Sequence, residues 1–152
     1  GIMVDISHPS KEAIRQMIIH SKAPVIASHS SARALSDHPR NLDDEQLNWV
    51  KDNGGVIQTV ALALFVNKEK HEKYQAAIDS HSGPLDEKAL TKIKEENPPV
   101  DVADFVDHID YIRNNIGIDH VGISSDFDGG GGIYGWDDAI ETLNVTIELV
   151  RR

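Results

Sequence analysis

Two apolar runs, IMVDISH at residues 2–8 and PVIASH at residues 24–29, each end on a histidine. A continuous apolar run with a polar tip is typical of a parallel strand that is covered on both faces. A third run, HVGISSD at residues 120–126, ends on an aspartate. The stretches between these runs have helical spacing, so the chain alternates strands with crossover helices. This alternation predicts an α/β fold with parallel strands and right-handed crossovers.

Four strand–helix units follow from the pattern. Strands are predicted in the run at residues 2–8 and at residues 25–28, 55–60 (with an extension to 64) and 121–124. Helices are predicted after residues 9–10, over 43–52, from 102 to a stop at 117, and from 138, where Asp138 and Glu141 have the spacing of a capping box. Four such units form half of a TIM-like (β/α)8 barrel. A small doubly wound sheet is the alternative, but no Gly-x-Gly-x-x-Gly follows the first strand.

The chain is predicted to be a single partial domain over residues 1–152. Residues 67–99 are polar, rich in lysine and glutamate, and interrupted by prolines. This composition predicts one or two surface helices inserted in a long loop.

Composition narrows the classes of function. The 152 residues are 39% hydrophobic and 26% charged, which is normal for a globular protein. A net charge of -10 repels phosphate backbones, so nucleic acid is not an expected partner. Cysteine is absent, which excludes disulfides and thiolate metal sites. We find no signal-peptide pattern and no apolar stretch of about 18 residues, and the sequence leaves the compartment open.

Three strand tips and one loop carry the candidate site residues. His8 and His29 lie 21 positions apart at equivalent strand ends, where two neutral imidazoles can bind a divalent metal. Asp126, at the tip of the last strand, can orient a metal-bound water and shuttle its proton. Arg40, in the loop after the second strand, can bind a substrate carboxylate. The alternative is that none of these residues has a catalytic function. The histidines would then be hydrogen-bonded to backbone groups at the strand ends, the aspartate would begin the turn into the glycines, and the arginine would be a solvated charge.

The remaining histidines are not assigned to the site. His108 and Asp110 form a His-x-Asp sequence, but they lie within a helix, where residues two apart point in different directions. Nucleophilic serine chemistry is not indicated, because Ser30 and Ser31 lie outside any Gly-x-Ser-x-Gly motif. The other unassigned histidines lie in polar context or before a strand: His20, His71, His81 and His120.

Longer stretches of the chain resemble the renal or membrane dipeptidase family, zinc dipeptidases with a barrel related to the amidohydrolases. The matching stretches are VDISH at 4–8, APVIASHSSA at 23–32, RN at 40–41, NGG at 53–55, DHIDYI at 107–112 and HVGISSDFDG at 120–129. Because they occur in this order and cover most of the chain outside residues 67–99, together they are more specific than any one of them.

The resemblance implies a function for each candidate residue. His8 and His29 would bind one Zn²⁺ of a two-zinc centre, Asp126 would handle the proton, and Arg40 would contact the free carboxylate of a dipeptide. In this family a hydroxide that bridges the two zinc ions attacks the amide carbonyl. The family's other ligands, a His-x-Asp pair and a glutamate, have no counterpart in this chain.

The chain therefore resembles the C-terminal half of such a barrel. Its expected partners are a dipeptide substrate and the N-terminal half of the barrel, and a homodimer is compatible with the family. This half by itself is expected to be inactive. Two alternatives remain: another barrel metallohydrolase acting on a cyclic amide or ester, and a catalytically dead barrel retained for binding.

Overall fold

The computed structural model describes all of residues 1–152. The fold is built around a parallel sheet. Its strands are β1 (Ile26–Ala27), β2 (Val56–Val60) and β3 (Val121–Ser124), in the order β1-β2-β3 and all parallel. The segment around Asp5 extends the sheet beyond β1 through a single parallel bridge to Ile26. Hydrogen bonds from Ile6 N–H to the Ile26 carbonyl, at 2.8 Å, and from Ile26 N–H to the Val4 carbonyl, at 3.0 Å, hold this segment in place.

Seven α-helices and three short 3₁₀ turns surround the sheet. None of the helices is both long enough and apolar enough to cross a membrane. The helices are α1 (Lys11–His20), α2 (Asp44–Asn53), α3 (Ala63–Val66), α4 (Lys68–Asp79), α5 (Glu87–Glu96), α6 (Val102–Ile116) and α7 (Thr142–Arg151), and the 3₁₀ turns are Ile118–His120, Phe127–Gly129 and Ala139–Glu141.

Local sequence signals explain where the main helices begin and end. Asp43 caps α2 through a reciprocal capping box with Gln46, and Asp101 caps α6 in the same way with Asp104. Each box satisfies backbone N–H groups that have no partner within the helix. Gly54 ends α2 in the left-handed conformation, with φ at 75°, which glycine adopts without a steric penalty.

The core consists of two apolar clusters joined by α6. The first packs α1 and α2 against β1 and the start of β2, and Ile112 and Ile116 are its contribution from α6. The second lies beyond β2 and includes Phe105 and Val106 of α6 together with Trp136. Because α6 is buried in both clusters, it couples the two ends of the sheet.

Several predicted elements differ from the structure. The first predicted strand, in the run at residues 2–8, is reduced to one bridge, because β1 itself has only two residues with which it can pair. The extension of the third strand to residue 64 is wrong, since α3 begins at Ala63. Asp138 caps a 3₁₀ turn, and α7 begins only at Thr142. The expected capping box is incomplete, because the Glu141 carboxylate accepts from the Asp137 N–H.

Residues 67–99 hold two helices, α4 and α5, connected by a polar loop. Lys70 attaches α4 to the start of α6 by ion pairs with Asp101, at 3.2 Å, and with Asp104. Ile93 of α5 is buried. The segment is therefore packed onto the body of the protein at α6.

Candidate active site

His8 and His29 meet at the carboxyl edge of the sheet. Their Nε2 atoms are 2.8 Å apart, and the ring centroids are 4.8 Å apart at an angle of 63°. His8 follows the segment bridged to β1, and His29 follows β1 itself. Parallel pairing places the ends of both segments at one edge, so the predicted convergence of the two imidazoles is present.

A hydrogen-bonded network lies directly behind the imidazole pair. The Asp5 carboxylate accepts from the Ser7 N–H at 3.0 Å, from the Ser7 hydroxyl at 2.7 Å and from the Ser28 N–H at 3.2 Å. The Ser28 hydroxyl also donates to Asp5, and it lies 2.7 Å from Nδ1 of His29. Partial burial raises the pKa of Asp5, but the hydrogen bonds from Ser28 and Ser7 outweigh it and lower the pKa to about 2.

Arg40 lies beside this network. Its Nε donates to the Ser7 carbonyl at 2.9 Å, and its guanidinium carbon is 5.6 Å from the centre of the Phe65 ring. One terminal nitrogen, Nη2, is buried without a hydrogen-bond partner. Burying a guanidinium nitrogen without a hydrogen-bond partner destabilises the folded state. Arg40 therefore keeps one unused hydrogen-bond donor on a guanidinium that is held in place.

The loop that carries Arg40 is anchored by buried polar side chains. The fully buried Asn41 accepts from the Ser31 N–H at 3.2 Å and donates to the carbonyls of Ser36, at 2.9 Å, and Phe65, at 2.8 Å. Each of these bonds satisfies a backbone group that burial would otherwise leave unpaired. The loop is thereby fixed to the end of α3.

Asp126 lies at the end of β3, separated from β1 by the whole of β2. It is the only non-glycine residue with positive φ, at 53°. Its carbonyl accepts from the N–H groups of Gly129, at 2.9 Å, and Gly131, at 2.7 Å, which close the turn. An aspartate with its backbone in the left-handed region carries a conformational strain on the order of 1 kcal/mol. Strain of this kind is common at functional sites. Its carboxylate forms no hydrogen bond with His8, His29 or Arg40.

The imidazole pair is a two-ligand half-site within this chain. No group of three or more histidine, aspartate or glutamate side chains is placed to hold a metal ion. A tetrahedral zinc site with Zn–N bonds of about 2.0–2.1 Å would separate its two nitrogens by roughly 3.3 Å. The observed 2.8 Å separation needs only a small opening, so the two imidazoles fit a shared cation.

Two histidines that were not assigned to the site have structural functions. His108 is buried; its Nδ1 accepts from the Ala32 N–H at 3.1 Å, and its Nε2 donates to the Val66 carbonyl at 2.7 Å. Burial lowers the pKa of His108, so the neutral form is favoured. His120 hydrogen-bonds the Gly55 carbonyl through Nδ1, at 2.8 Å.

The sequence interpretation did not include Asp5, Ser7, Ser28 or Phe65 among the site residues. A signal for three of them was present, because both runs that end on a histidine end on Ser-His, and the first run contains an aspartate. Phe65 could not be found in this way, because its proximity to Arg40 depends on the packing of α3.

A parallel α/β sheet with imidazoles at its carboxyl edge is an arrangement used by metal-dependent hydrolases. The profile of the membrane dipeptidase family (peptidase family M19) matches residues 1–152, and the chain belongs to this family. The predicted family is thereby confirmed. A solved member of this family, dipeptidase AC, is described as a metallo peptidase.

Curated relatives match the chain over most of its length. Dipeptidase ataJ of Aspergillus terreus is 39% identical over 153 residues, and the match covers 100% of this chain and 31% of that protein. Dipeptidase verJ of Clonostachys rogersoniana is 36% identical over 129 residues, which are 85% of this chain and 26% of that protein. The chain thus spans less than a third of the length of either relative.

Solved structures share the fold over the whole chain. The probable dipeptidase PvdM from Pseudomonas aeruginosa has a TM-score of 0.79 and 38% identity, covering 100% of this chain and 45% of that chain. A metallo peptidase from Rhodobacter sphaeroides, liganded with a phosphinate mimic of the dipeptide L-Ala-D-Ala, has a TM-score of 0.71 at 24% identity, covering 99% and 36%. The second likeness concerns the fold only. The mixed α/β fold is therefore that of dipeptidase structures.

Proposed function

We propose that this chain is the C-terminal half of a zinc-dependent dipeptidase barrel, a single partial domain into which residues 67–99 are inserted. The observation that carries the proposal is the approach of His8 Nε2 to His29 Nε2, at 2.8 Å, at the carboxyl edge of a parallel sheet. Family membership and the dipeptidase relatives support the substrate class. The remaining metal ligands would come from the part of the barrel that this chain does not contain.

Each residue has a distinct task in this proposal. His8 and His29 would hold the zinc ion, since their Nε2 atoms face each other. The ion, when bound, supplies an activated water and polarises the scissile carbonyl. The Arg40 guanidinium would bind the free carboxylate of the dipeptide. The Asp126 carboxylate would take up a proton and deliver it to the nitrogen of the leaving amine.

The test uses the intact protein, with zinc content and turnover of a dipeptide panel measured before and after chelation. Chelation is expected to abolish turnover, and added zinc is expected to restore it. His8→Ala should remove one of the two expected zinc ions and lower turnover by orders of magnitude. Asp126→Asn should lower turnover similarly but leave the zinc content unchanged.

His20→Ala is the matched control, because His20 is an exposed histidine at the end of α1. It should change neither zinc content nor turnover. Turnover that survives complete removal of metal, or a His8→Ala variant with full zinc and full activity, would contradict the proposal.

A further inference from the structure

Asp5 lies at the centre of the polar network behind the imidazole pair and forms no hydrogen bond with either imidazole. Its Oδ1 atom accepts from Ser7 N–H, Ser7 Oγ and Ser28 N–H, and its Oδ2 atom accepts from the Ser28 hydroxyl. Ser7 Oγ in turn accepts from the His29 N–H at 3.1 Å. One carboxylate therefore ties together the two segments on which the two histidines lie.

The direction of the hydrogen bonds follows from the number of protons available. An ionised carboxylate can only accept, so the single hydroxyl proton of Ser28 points to Asp5. Ser28 Oγ can then interact with Nδ1 of His29, 2.7 Å away, only as an acceptor. Nδ1 of His29 must carry the ring proton, and Nε2 is left with its lone pair facing His8.

We infer that Asp5 is a positioning residue that acts through Ser28: it fixes the Nδ1–H tautomer of His29 and so presents the Nε2 lone pair for a metal ion. The inference rests on the metal site of the proposed function. Residues behind a metal ligand commonly fix its tautomer and orientation in this way, and their loss typically weakens metal binding by about 10- to 100-fold. In this chain the carboxylate reaches the ligand through an intervening serine.

The variant Asp5→Asn keeps the shape of the side chain but reverses the donors and acceptors in the hydrogen bonds from residue 5 through Ser28 to His29. The amide oxygen of Asn can replace Oδ1, which accepts from three donors, and the amide nitrogen then faces Ser28 Oγ. That nitrogen donates to Ser28, so the Ser28 proton turns to Nδ1 of His29. The ring proton moves to Nε2, where it blocks metal binding.

The experiment measures the tautomer directly in the intact, metal-free protein with ¹⁵N-labelled histidine. Two-bond ¹H–¹⁵N correlations are recorded at a pH well above the usual imidazole pKa of about 6.5. We expect His29 to be protonated at Nδ1 in the unmodified protein and mainly at Nε2 in Asp5→Asn. Zinc affinity by competition with a chelator should fall by about 10- to 100-fold in the same variant.

Two serine variants and one control complete the design. Ser28→Ala removes the hydroxyl that connects Asp5 to His29 and should lower zinc affinity by the same factor as Asp5→Asn. Ser28→Thr keeps the hydroxyl and should retain both the Nδ1–H tautomer and the zinc affinity of the unmodified protein. Asp86→Asn changes the N-cap of α5, far from the site, and should alter neither.

An Asp5→Asn variant that keeps Nδ1–H and the original zinc affinity would overturn the inference. So would a variant that loses stability with an unchanged tautomer, because Asp5 would then be a structural residue only. Loss of zinc affinity with the expected tautomer shift, in a protein that hydrolyses no dipeptide, would support this inference and refute the proposed function.

Discussion

Arg40 is held by different forces at each part of its side chain. Nε donates to the Ser7 carbonyl, the guanidinium carbon lies 5.6 Å from the centre of the Phe65 ring, and Nη2 has no hydrogen-bond partner. A guanidinium restrained in this way loses little further freedom when it binds a carboxylate. This restraint distinguishes Arg40 from the solvated arginine that was the alternative interpretation.

Arg40→Lys keeps the charge but removes the planar fork and the bond to Ser7. We expect KM for a dipeptide to rise about 10- to 100-fold, the equivalent of losing a charge-assisted hydrogen bond of about 1.5–3 kcal/mol. The corresponding dipeptide amide, which has no terminal carboxylate, should be affected far less. Arg15→Lys, on the exposed face of α1, is the control. An equal effect on acid and amide would argue against carboxylate binding.

His108 makes the stability of the protein depend on pH. Burial lowers the pKa of this histidine in the folded state, so the unfolded chain, with a pKa of about 6.5, takes up the proton first. Its contribution is complete above pH 6.5 and is lost as the pH falls below that value. The slope for one such group is at most about 1.4 kcal/mol per pH unit.

Urea denaturation at about pH 7 and about pH 5 tests this contribution from either side of the unfolded-state pKa. The unmodified protein should lose more stability between these conditions than His108→Gln, which lacks the titratable ring. The variant should also be less stable at the higher pH by about 1–3 kcal/mol, because it loses buried hydrogen bonds. His20→Gln should retain the full pH dependence, and identical slopes for all three proteins would refute the assignment.

At the scale of elements, the turn between α2 and β2 determines how closely β2 approaches β1. A Cβ atom on Gly55 would lie 2.5 Å from the Val25 carbonyl oxygen, a backbone atom that cannot move independently of β1. A Cβ on Gly54 would meet nothing closer than Pro24 Cγ at 3.9 Å, although its φ of 75° disfavours other residues. The two adjacent glycines are therefore required for different reasons.

Gly54→Ala should cost about 1 kcal/mol in the free energy of unfolding, the usual penalty for alanine in the left-handed region. Gly55→Ala should cost more, about 1–3 kcal/mol or above, because the backbone of β1 must shift. Both values come from urea denaturation of the two single variants. A larger loss of stability for Gly54→Ala than for Gly55→Ala would show that the backbone conformation at Gly54, rather than the close approach of Gly55 to Val25, determines the need for glycine in this turn.

For the whole molecule, α7 presents an apolar surface opposite the side that it buries. Val145 is almost fully buried, at 2% exposure, whereas four other apolar residues are exposed. Three of them lie in α7 at spacings of four and three positions, which places them on one side of the helix, and the fourth lies in the 3₁₀ turn just before it. They are Ile140, Leu143, Ile147 and Val150, with exposed fractions of 90%, 65%, 55% and 82%.

The purified 152-residue chain should consequently bind the hydrophobic dye ANS and have limited solubility, since large exposed apolar patches favour association. The double variant Leu143→Gln with Ile147→Gln should lower dye binding and change the free energy of unfolding by less than about 0.5 kcal/mol per site. Val145→Gln, on the buried side, should instead destabilise the chain. Unchanged dye fluorescence in the double variant would place the exposed apolar surface elsewhere.

How far the sequence predicts this molecule depends on the range of the interactions involved. Alternating apolar runs and helical stripes predicted β2, β3, α2 and α6 with bounds close to those observed, because caps and periodicity are local. The extension of β2 was predicted wrongly at Ala63, where α3 is fixed by packing against α6 and the second core cluster.

By itself the sequence determined the parallel α/β order and the placement of His8 and His29 at neighbouring tips, since both follow from short-range patterns and parallel pairing. Only the tertiary structure decided the contacts over long separations: the Asp5 carboxylate accepts from Ser28 across 23 positions, and the Ala32 N–H donates to His108 across 76. Contacts of this length depend on how helices and strands pack once the chain is compact, and no local pattern of residues encodes them.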